Sequence, residues 1–191
     1  MRSDQTPEGV SGRETIKIRI RTVSQLFNSL DPSPFIEKDL DAEAEAFIEG
    51  WAAETPRGTP LRLILYVESP PEDEASRAGV GDAIRNFFRY KEDRTRRELR
   101  RLMGVGRASL LIGLLFVAVC IGAAQAIGQL WKGTAREIVE QSLVIVGWVA
   151  MWRPLEIFLY DWWPIAGRAA LHRRLGAMKV EFAVGGDGLT E

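Results

Sequence analysis

The chain has 191 residues, enough for one small soluble domain together with a pair of membrane-spanning helices. Its formal net charge of −1 conceals an uneven distribution, because acidic residues dominate from Asp31 to Glu74 and basic residues crowd the segments beyond. Cys120 is the single cysteine, which excludes a disulfide within the chain and a zinc site built on cysteines. Residues 1–13 are polar, so we expect a disordered tail there and no cleavable signal peptide.

Residues 14–70 predict a small α/β domain. Isoleucines alternate with basic residues from Thr15 to Arg21, which predicts a half-buried strand with a basic outer face. We expect a short helix from Val23 to Leu30 and a second helix from Ala42 to Glu54, with an aspartate at its N-cap. The apolar stretch Leu61 to Val67 predicts a strand buried on both faces, and such a strand needs a neighbour on each side.

An acidic linker and a long basic helix are predicted over residues 71–107. The helical pattern is clear from Arg77 to Met103, and Gly104 and Gly106 then favour a bend or a break. Lys and Arg beside a membrane span stay on the cytoplasmic side, and each one near anionic lipid contributes on the order of 1 kcal/mol to binding. We interpret the basic cluster of this helix as a topology signal that also contacts lipid. Its members are Arg94, Arg96, Arg97, Arg100, Arg101 and Arg107.

Two apolar segments follow, 108–131 and 138–163, and each exceeds the roughly 20 residues needed to cross a bilayer. The connecting segment 132–137 is nearly neutral, whereas the segment 164–178 is basic. Because basic residues mark the cytoplasmic side, this pattern predicts a transmembrane hairpin with a short outer loop and both termini in the cytoplasm.

The last structured segment, residues 179–184, is predicted to be a strand in which alternate apolar residues point inward. It would give the Leu61–Val67 strand its second neighbour, and residues 185–191 would form a flexible tail. The predicted fold is therefore an α+β membrane protein. It combines a small α/β cytoplasmic domain, with about three strands taken from both chain ends, and a two-helix transmembrane hairpin.

Arg153 and Glu156 are the most unusual residues of the second apolar segment. Being three positions apart in a helix, they can pair on one face, and they lie roughly 10–15 Å from Trp163 along the axis. A charge at that depth is costly unless it faces protein or water. Two interpretations stay open: a structural pair in which Arg153 reaches toward lipid phosphates, and a functional pair in an ion or proton pathway. If the helix ends near Trp152, the pair lies at the interface instead.

Small residues recur every four positions in the first apolar segment, at Ala118, Gly122 and Ala126, a spacing at which two helix backbones approach closely. We expect this face to pack against the second helix of the same chain, and packing between subunits is the alternative. His172, the sole histidine, lies in the basic segment beyond the second span, so we expect it to be an exposed surface residue.

Several motifs resemble those of a family of uncharacterised bacterial membrane proteins. They are Ser29-Leu30-Asp31-Pro32-Ser33-Pro34-Phe35 with Asp39-Leu40-Asp41, then Arg97-Glu98-Leu99-Arg100-Arg101-Leu102, and Trp152-Arg153-Pro154-Leu155-Glu156-Ile157. The resemblance covers residues 16–180 and implies a bacterial inner membrane. It implies no activity, because the family has none assigned.

The sequence contains no nucleophile–base pair, no metal-ligand spacing and no phosphate-binding glycine motif, so we expect neither an enzyme nor a cofactor. Nucleic-acid binding is not expected, because the soluble part shows no basic face with interleaved aromatics. The best interpretation is a non-enzymatic inner-membrane protein whose cytoplasmic domain binds an unknown protein or self-assembles, in a bilayer that includes anionic lipids. The alternative is a homo-oligomeric ion channel or transporter-like pore that uses Arg153 and Glu156.

Overall fold

The computed structural model describes residues 15–29, 31, 34, 38–69, 73–130 and 133–184. The two tails expected at 1–13 and 185–191 lie outside these residues. The chain divides into two compact units. The sheet unit takes residues 1–94 and 168–191, and the helical unit takes residues 95–167.

A three-stranded parallel sheet is the centre of the sheet unit. Its strands are β1 (Thr15–Ile20), β2 (Arg62–Val67) and β3 (Lys179–Val184), in the spatial order β1-β2-β3. The central strand therefore receives one neighbour from each end of the chain, as its apolar sequence predicts. The bounds of β3 are those expected from its alternating pattern.

Both crossovers of this sheet step in the same direction. The first, from β1 to β2, carries helix α1 (Ala42–Glu54), and the second, from β2 to β3, carries all the remaining helices. Parallel crossovers are right-handed in nearly all proteins, so two steps in one direction place the crossover helices of the sheet unit against the same face of the sheet. Within the described residues of this unit, the helices and the sheet therefore form two layers, with one face of the sheet left outside the core.

The core lies between these two layers. Leu63, Leu65 and Val67 of β2 are fully buried against the helices. The helices contribute buried side chains to the same cluster, among them Ile48 of α1, Ile84 and Phe88 of the next helix, and Leu175. Burial of a Leu or Phe side chain contributes about 1.5–3 kcal/mol, so this single face supplies most of the apolar stabilisation of the unit.

The opposite face of β2 differs from the expectation of a strand buried on both sides. Ile64 and Tyr66 are only half-buried and lie outside the hydrophobic core of the described chain. The register aligns Ile64 with Lys17 of β1 and with Glu181 of β3, so this face is flanked by charged side chains. The apolar sequence of β2 predicts burial on both faces, but among the described residues helices pack against only one of them.

The segment before α1 is held by hydrogen bonds rather than by the helix expected to reach Leu30. A 3-10 turn covers only Val23–Leu26, because Phe27 forms an antiparallel bridge with Leu40. Asp41 then caps α1 by accepting a hydrogen bond from the Glu43 N–H at 2.9 Å. Residues 30, 32, 33 and 35–37, which come before α1, lie outside the described residues.

Helix α2 runs without interruption from Glu74 to Leu130, a length of 57 residues. Asp73 starts it by accepting a hydrogen bond from the Ser76 N–H at 2.9 Å, and its hydrogen bonds with Ser76 lower the pKa of the Asp73 carboxyl. A break at Gly104 and Gly106, one of the two expected alternatives, does not occur. A glycine weakens a helix by only about 1 kcal/mol, which packing can offset.

The second apolar segment is a broken helix rather than a continuous one. It consists of α3 (Thr134–Ala150), α4 (Trp152–Glu156), a π-helical turn (Ile157–Asp161) and α5 (Trp162–Gly176). Since α3 begins at Thr134, the expected loop 132–137 is shorter than predicted. Two of the helical stretches, Glu74–Ile127 and Arg136–Gly176, contain a window apolar enough to cross a membrane.

Pro154 explains the break between α3 and α4. Proline has no N–H, so the carbonyl of Ala150 lacks its usual donor four residues later, and the ring also crowds that carbonyl. The α-helical hydrogen-bond pattern is interrupted at Met151, whose N–H donates to the Trp148 carbonyl three residues earlier at 3.0 Å. The widened turn at Ile157–Asp161 is partly compensated by the Trp162 indole N–H, which donates to the Phe158 carbonyl at 2.9 Å.

Candidate functional site

Three glycines form the closest contact between the two apolar stretches of the helical unit. A methyl group built on Gly106 would lie 2.9 Å from Ile157, and one on Gly113 would lie 2.9 Å from the Met151 sulfur. One on Gly147 would lie 3.4 Å from Cys120. A methyl group at Gly106 or Gly113 would force its neighbour to shift, whereas one at Gly147 would make an ordinary contact, so the helices approach closely along a glycine seam.

The small residues that the sequence singled out lie elsewhere. Ala118, Gly122 and Ala126 are all exposed, and a methyl group on Gly122 would meet nothing within 4 Å. Packing of this face against the second helix of the same chain is therefore wrong. The second apolar stretch instead packs on the side of α2 that carries Gly106 and Gly113. These two glycines are seven residues apart, whereas the small residues singled out from the sequence recur every four.

Arg153 and Glu156 form the ion pair that their spacing predicts, with Arg153 Nη1 2.9 Å from Glu156 Oε2. The same nitrogen lies 3.3 Å from Asp161 Oδ2, a contact that the sequence did not suggest. In a regular α-helix, residues eight apart are offset by about 80° around the axis. The π-helical turn adds one wider turn between them and so brings Asp161 toward the face of Arg153.

The glycine seam fixes the height of this pair within the helical unit. Gly106 lies against Ile157. Arg153 precedes Ile157 by four residues, so at 1.5 Å per residue its backbone lies about 6 Å from this contact along the helix axis. Its guanidinium points back toward Asp161, away from the apolar helix α3. Arg107 directly follows Gly106, so the Arg153 head group and the basic end of the first apolar segment lie at similar heights.

The basic cluster of α2 lies on the surface. Its six arginines, Arg94, Arg96, Arg97, Arg100, Arg101 and Arg107, are all exposed. Because they occupy many directions around the helix, they form a basic collar rather than a stripe on one face. Such a collar is suited to a surface of negative charge that approaches from any side of the helix.

The sheet unit contains a polar cluster that sequence reasoning missed. Lys91 of α2 contacts the carboxylates of both Glu45 and Glu49 of α1, with 3.1 Å from Nζ to Glu49 Oε1. His172 of α5 lies 3.0 Å from the same Glu49 oxygen through its Nε2 atom, and it is only 6% exposed. The expectation of an exposed surface histidine is therefore wrong.

The surroundings of Lys91 combine burial with opposite charge. Burial lowers the pKa of the Lys91 ammonium, nearby Arg94 lowers it further, and Asp39 acts in the opposite direction. The two carboxylates in contact with it favour the charged form of the ammonium. Its Nζ also lies 5.5 Å from the centre of the Phe87 ring, at a distance typical of a cation–π contact.

This cluster joins three helices of the sheet unit through side chains. A second link lies at the end of α5, where the Arg174 guanidinium donates to the carbonyls of Thr55, Pro56 and Thr59 at 3.0–3.3 Å. These carbonyls follow the C-terminus of α1, where a cation is favoured by the helix dipole. Both arrangements position α5, and with it the start of β3.

The described contacts of these clusters are ion pairs and hydrogen bonds. Within the described residues, no group of three or more His, Cys, Asp or Glu side chains is arranged to hold a metal ion. Glu45 and Glu49 occupy one face of α1 at a four-residue spacing, which was the one sequence signal for the polar cluster. Lys91 and His172 are distant in the sequence, so nothing local marked them as partners.

The chain matches no protein-family model, no curated protein and no solved structure. The resemblance to bacterial membrane proteins therefore depends on its motifs alone. Of the Ser29–Phe35 motif, the described chain includes Ser29, Asp31 and Pro34, and Asp31 accepts a hydrogen bond from the Asp39 N–H at 2.7 Å. Two parts of the motif are thus linked by one structural contact.

Replacing Lys91 tests whether the polar cluster holds the three helices together. We expect Lys91→Met to lower the free energy of unfolding by about 1–3 kcal/mol, because Glu45 and Glu49 lose their shared counter-charge. Thermal unfolding of the detergent-solubilised chain, followed by circular dichroism, measures the change. Lys179→Met is the matched control, since Lys179 forms an exposed pair with Glu181 that contributes about 0–1 kcal/mol. Equal effects of the two substitutions would contradict a stabilising role for the cluster.

The three charged residues around Arg153 predict that their single substitutions lower stability by unequal amounts. Arg153→Gln leaves two carboxylates without a counter-charge, whereas Glu156→Gln and Asp161→Asn each leave one carboxylate paired. We expect Arg153→Gln to lower the melting temperature most, and its combination with both carboxylate substitutions to recover part of the loss. Arg136→Gln, which removes an exposed pair with Glu140, is the control. Strict additivity of the effects would mean that the three residues do not interact.

Proposed function

We propose that the chain is a non-enzymatic protein of the bacterial inner membrane, anchored by a transmembrane hairpin. The observation that carries this proposal is the exposure of the apolar helices. Only 17% of each apolar window is buried, and Leu111, Ile112 and Val149 are each more than 60% exposed. A soluble protein rarely leaves so large an apolar surface in water, whereas lipid covers it at no cost.

The distribution of charge supports a cytoplasmic location for both soluble ends. The basic collar of α2 precedes the first span, and the exposed Arg168 and Arg173 of α5 follow the second. Exposed Trp152, Tyr160 and Trp163 surround the end of the second span, in keeping with an aromatic belt at the interface. In this topology the collar contacts anionic lipid, and Arg153 lies within about one helical turn of the boundary marked by Arg107.

We propose a partner-binding or self-assembly role for the sheet unit. The polar clusters found among its described residues pair charges and hold helices, and none combines a nucleophile with a base. The sheet has a second face outside the core, and parallel sheets are normally covered on both faces. An uncovered face of this kind favours a docking function over catalysis. The partner is therefore another cytoplasmic protein or another copy of this chain.

Cysteine labelling tests the hairpin and its orientation. In a Cys120→Ala background, we expect Thr134→Cys to react with a membrane-impermeant thiol reagent added to intact spheroplasts. Ser24→Cys should react only after permeabilisation. Both positions are exposed, and Thr134 is preferred to Gly133 because Gly133 has a φ of +101°, which disfavours a side chain. Labelling of Ser24→Cys alone in intact spheroplasts would reverse the orientation, and labelling of both would exclude a hairpin.

A homo-oligomeric pore is the second candidate, and one observation favours it. The Arg153 side chain is 60% exposed and Glu156 is 44% exposed, although both belong to a proposed span. Charges so exposed require water, lipid head groups or another subunit beside them. The height of the pair near the inner boundary favours head groups.

Ion flux into liposomes separates the two candidates. We expect liposomes containing the purified chain to be no more permeable than liposomes without protein. A pore would instead give a flux that Arg153→Gln changes and that the control Arg136→Gln leaves intact. A flux with this pattern would overturn the non-transporting assignment and place Arg153 on the conduction path.

A further inference from the structure

We propose that copies of this chain assemble head to tail, with helix α1 of one copy covering the outer face of the sheet of the next. The inference rests on the proposed self-assembly role and names the two surfaces that would meet. Both surfaces belong to the sheet unit. They are different faces of it, so one copy offers each surface to a different neighbour.

The first surface is the outer face of the sheet. Ile64 and Tyr66 of β2 form its half-buried centre. Four cations of the strands surround them, and Glu181, the one carboxylate that β1, β2 and β3 place on this face, is paired with Lys179 at 2.7 Å. The cations are Lys17, Arg19, Arg62 and Lys179, and all four are exposed. The surface is therefore an apolar centre with a basic rim.

The second surface is the side of α1 that faces away from the core. Phe47 is 46% exposed and Trp51 is 40% exposed, and both belong to one side of the helix at a four-residue spacing. Glu43 lies one turn before Phe47 and Glu54 lies about one turn after Trp51, and both carboxylates are exposed. This surface is an aromatic centre with an acidic rim.

The two surfaces complement each other in charge and in shape. A helix that covers the second face of a parallel sheet completes the arrangement that such sheets usually have. Gly50 lies on the same side of α1, and a methyl group built there would meet nothing within 4 Å, so the helix backbone is bare at this point. Phe47 and Trp51 can then pack on Ile64 and Tyr66 while the glutamates meet the cations of the rim.

Charge selects this pairing over the symmetric alternatives. Two sheet faces brought together would oppose cations to cations, and two α1 faces would oppose carboxylates to carboxylates. Only the unlike pair is attractive. A contact between different surfaces is heterologous, so each copy keeps one free surface and the assembly continues into a ring or a chain.

Two variants of the full chain, each defective in one surface, test this geometry. Variant S carries Arg19→Glu and Arg62→Glu, and variant H carries Trp51→Ala and Glu54→Lys. We expect the natural chain in detergent to exceed the mass of a dimer by light scattering. Each variant alone should be a monomer, and an equimolar mixture should form a dimer and nothing larger. The mixture forms one contact because variant S keeps α1 intact and variant H keeps the sheet face intact.

Tyr90→Ala is the control, because Tyr90 is a 57% exposed aromatic residue outside both surfaces; it should assemble like the natural chain. Equal melting temperatures of the variants exclude misfolding, and surface substitutions on Lys17 and Glu43 replace any variant that fails this check.

Assembly that persists in S and H would overturn this interface and leave self-assembly standing. A monomeric natural chain, in detergent and in bilayers, would overturn both. Single-stranded DNA that binds a monomeric natural chain and fails to bind variant S would assign the sheet face to nucleic acid instead.

Discussion

The handedness of parallel crossovers is the constraint from which most of the sheet unit follows. With strand order β1-β2-β3, each crossover moves one strand in the same direction, so right-handed connections bring the helical residues of the sheet unit to one face. The consequences appear in single residues: Leu65 is fully buried, while its neighbour Tyr66 is only half-buried. An order with β1 in the centre would make the two crossovers step in opposite directions, which would move one crossover helix to the other face.

The helical unit depends on small residues and a proline rather than on long apolar contacts. Gly106 and Gly113 allow the second stretch to approach α2, and Pro154 breaks that stretch where it passes Gly113. The π-helical turn that follows changes the phase of the helix and brings Asp161 to Arg153. The Arg153 guanidinium is thus paired within the chain, with two carboxylates beside it. This pairing supports a structural role for the cluster.

Much of the fold could be predicted from sequence because its signals are local. Alternation fixes β1 and β3, and the aspartate before Ala42 marks the start of α1. Other features depend on contacts between distant residues and leave no periodic pattern. His172 was expected on the surface, because a histidine within a basic segment gives no indication that Glu49 faces it. The break expected near Gly106 failed for a related reason, since that glycine serves close packing across the helical unit.

The apolar sequence of β2 shows the limit of a local pattern in another way. Ile64 and Tyr66 have the residue types of a buried strand, and only the direction of the crossovers shows that no helix of the described chain covers them. The candidate surfaces likewise combine residues from β1, β2 and β3, which the register alone brings together. Sequence reasoning found the basic outer face of β1 but not the larger face to which it belongs.

The position of β3 at the end of the chain also governs the order of biosynthesis. β1 and β2 leave the ribosome first, but residues 68–178 must follow before β3 can join them. At about 5–20 residues per second, β2 waits on the order of ten seconds with an unpaired edge. In the proposed topology the spans enter the bilayer during this interval. Completion of the sheet therefore requires that residues 68–178 have been made, and until then β2 keeps an open strand edge of the kind that favours aggregation.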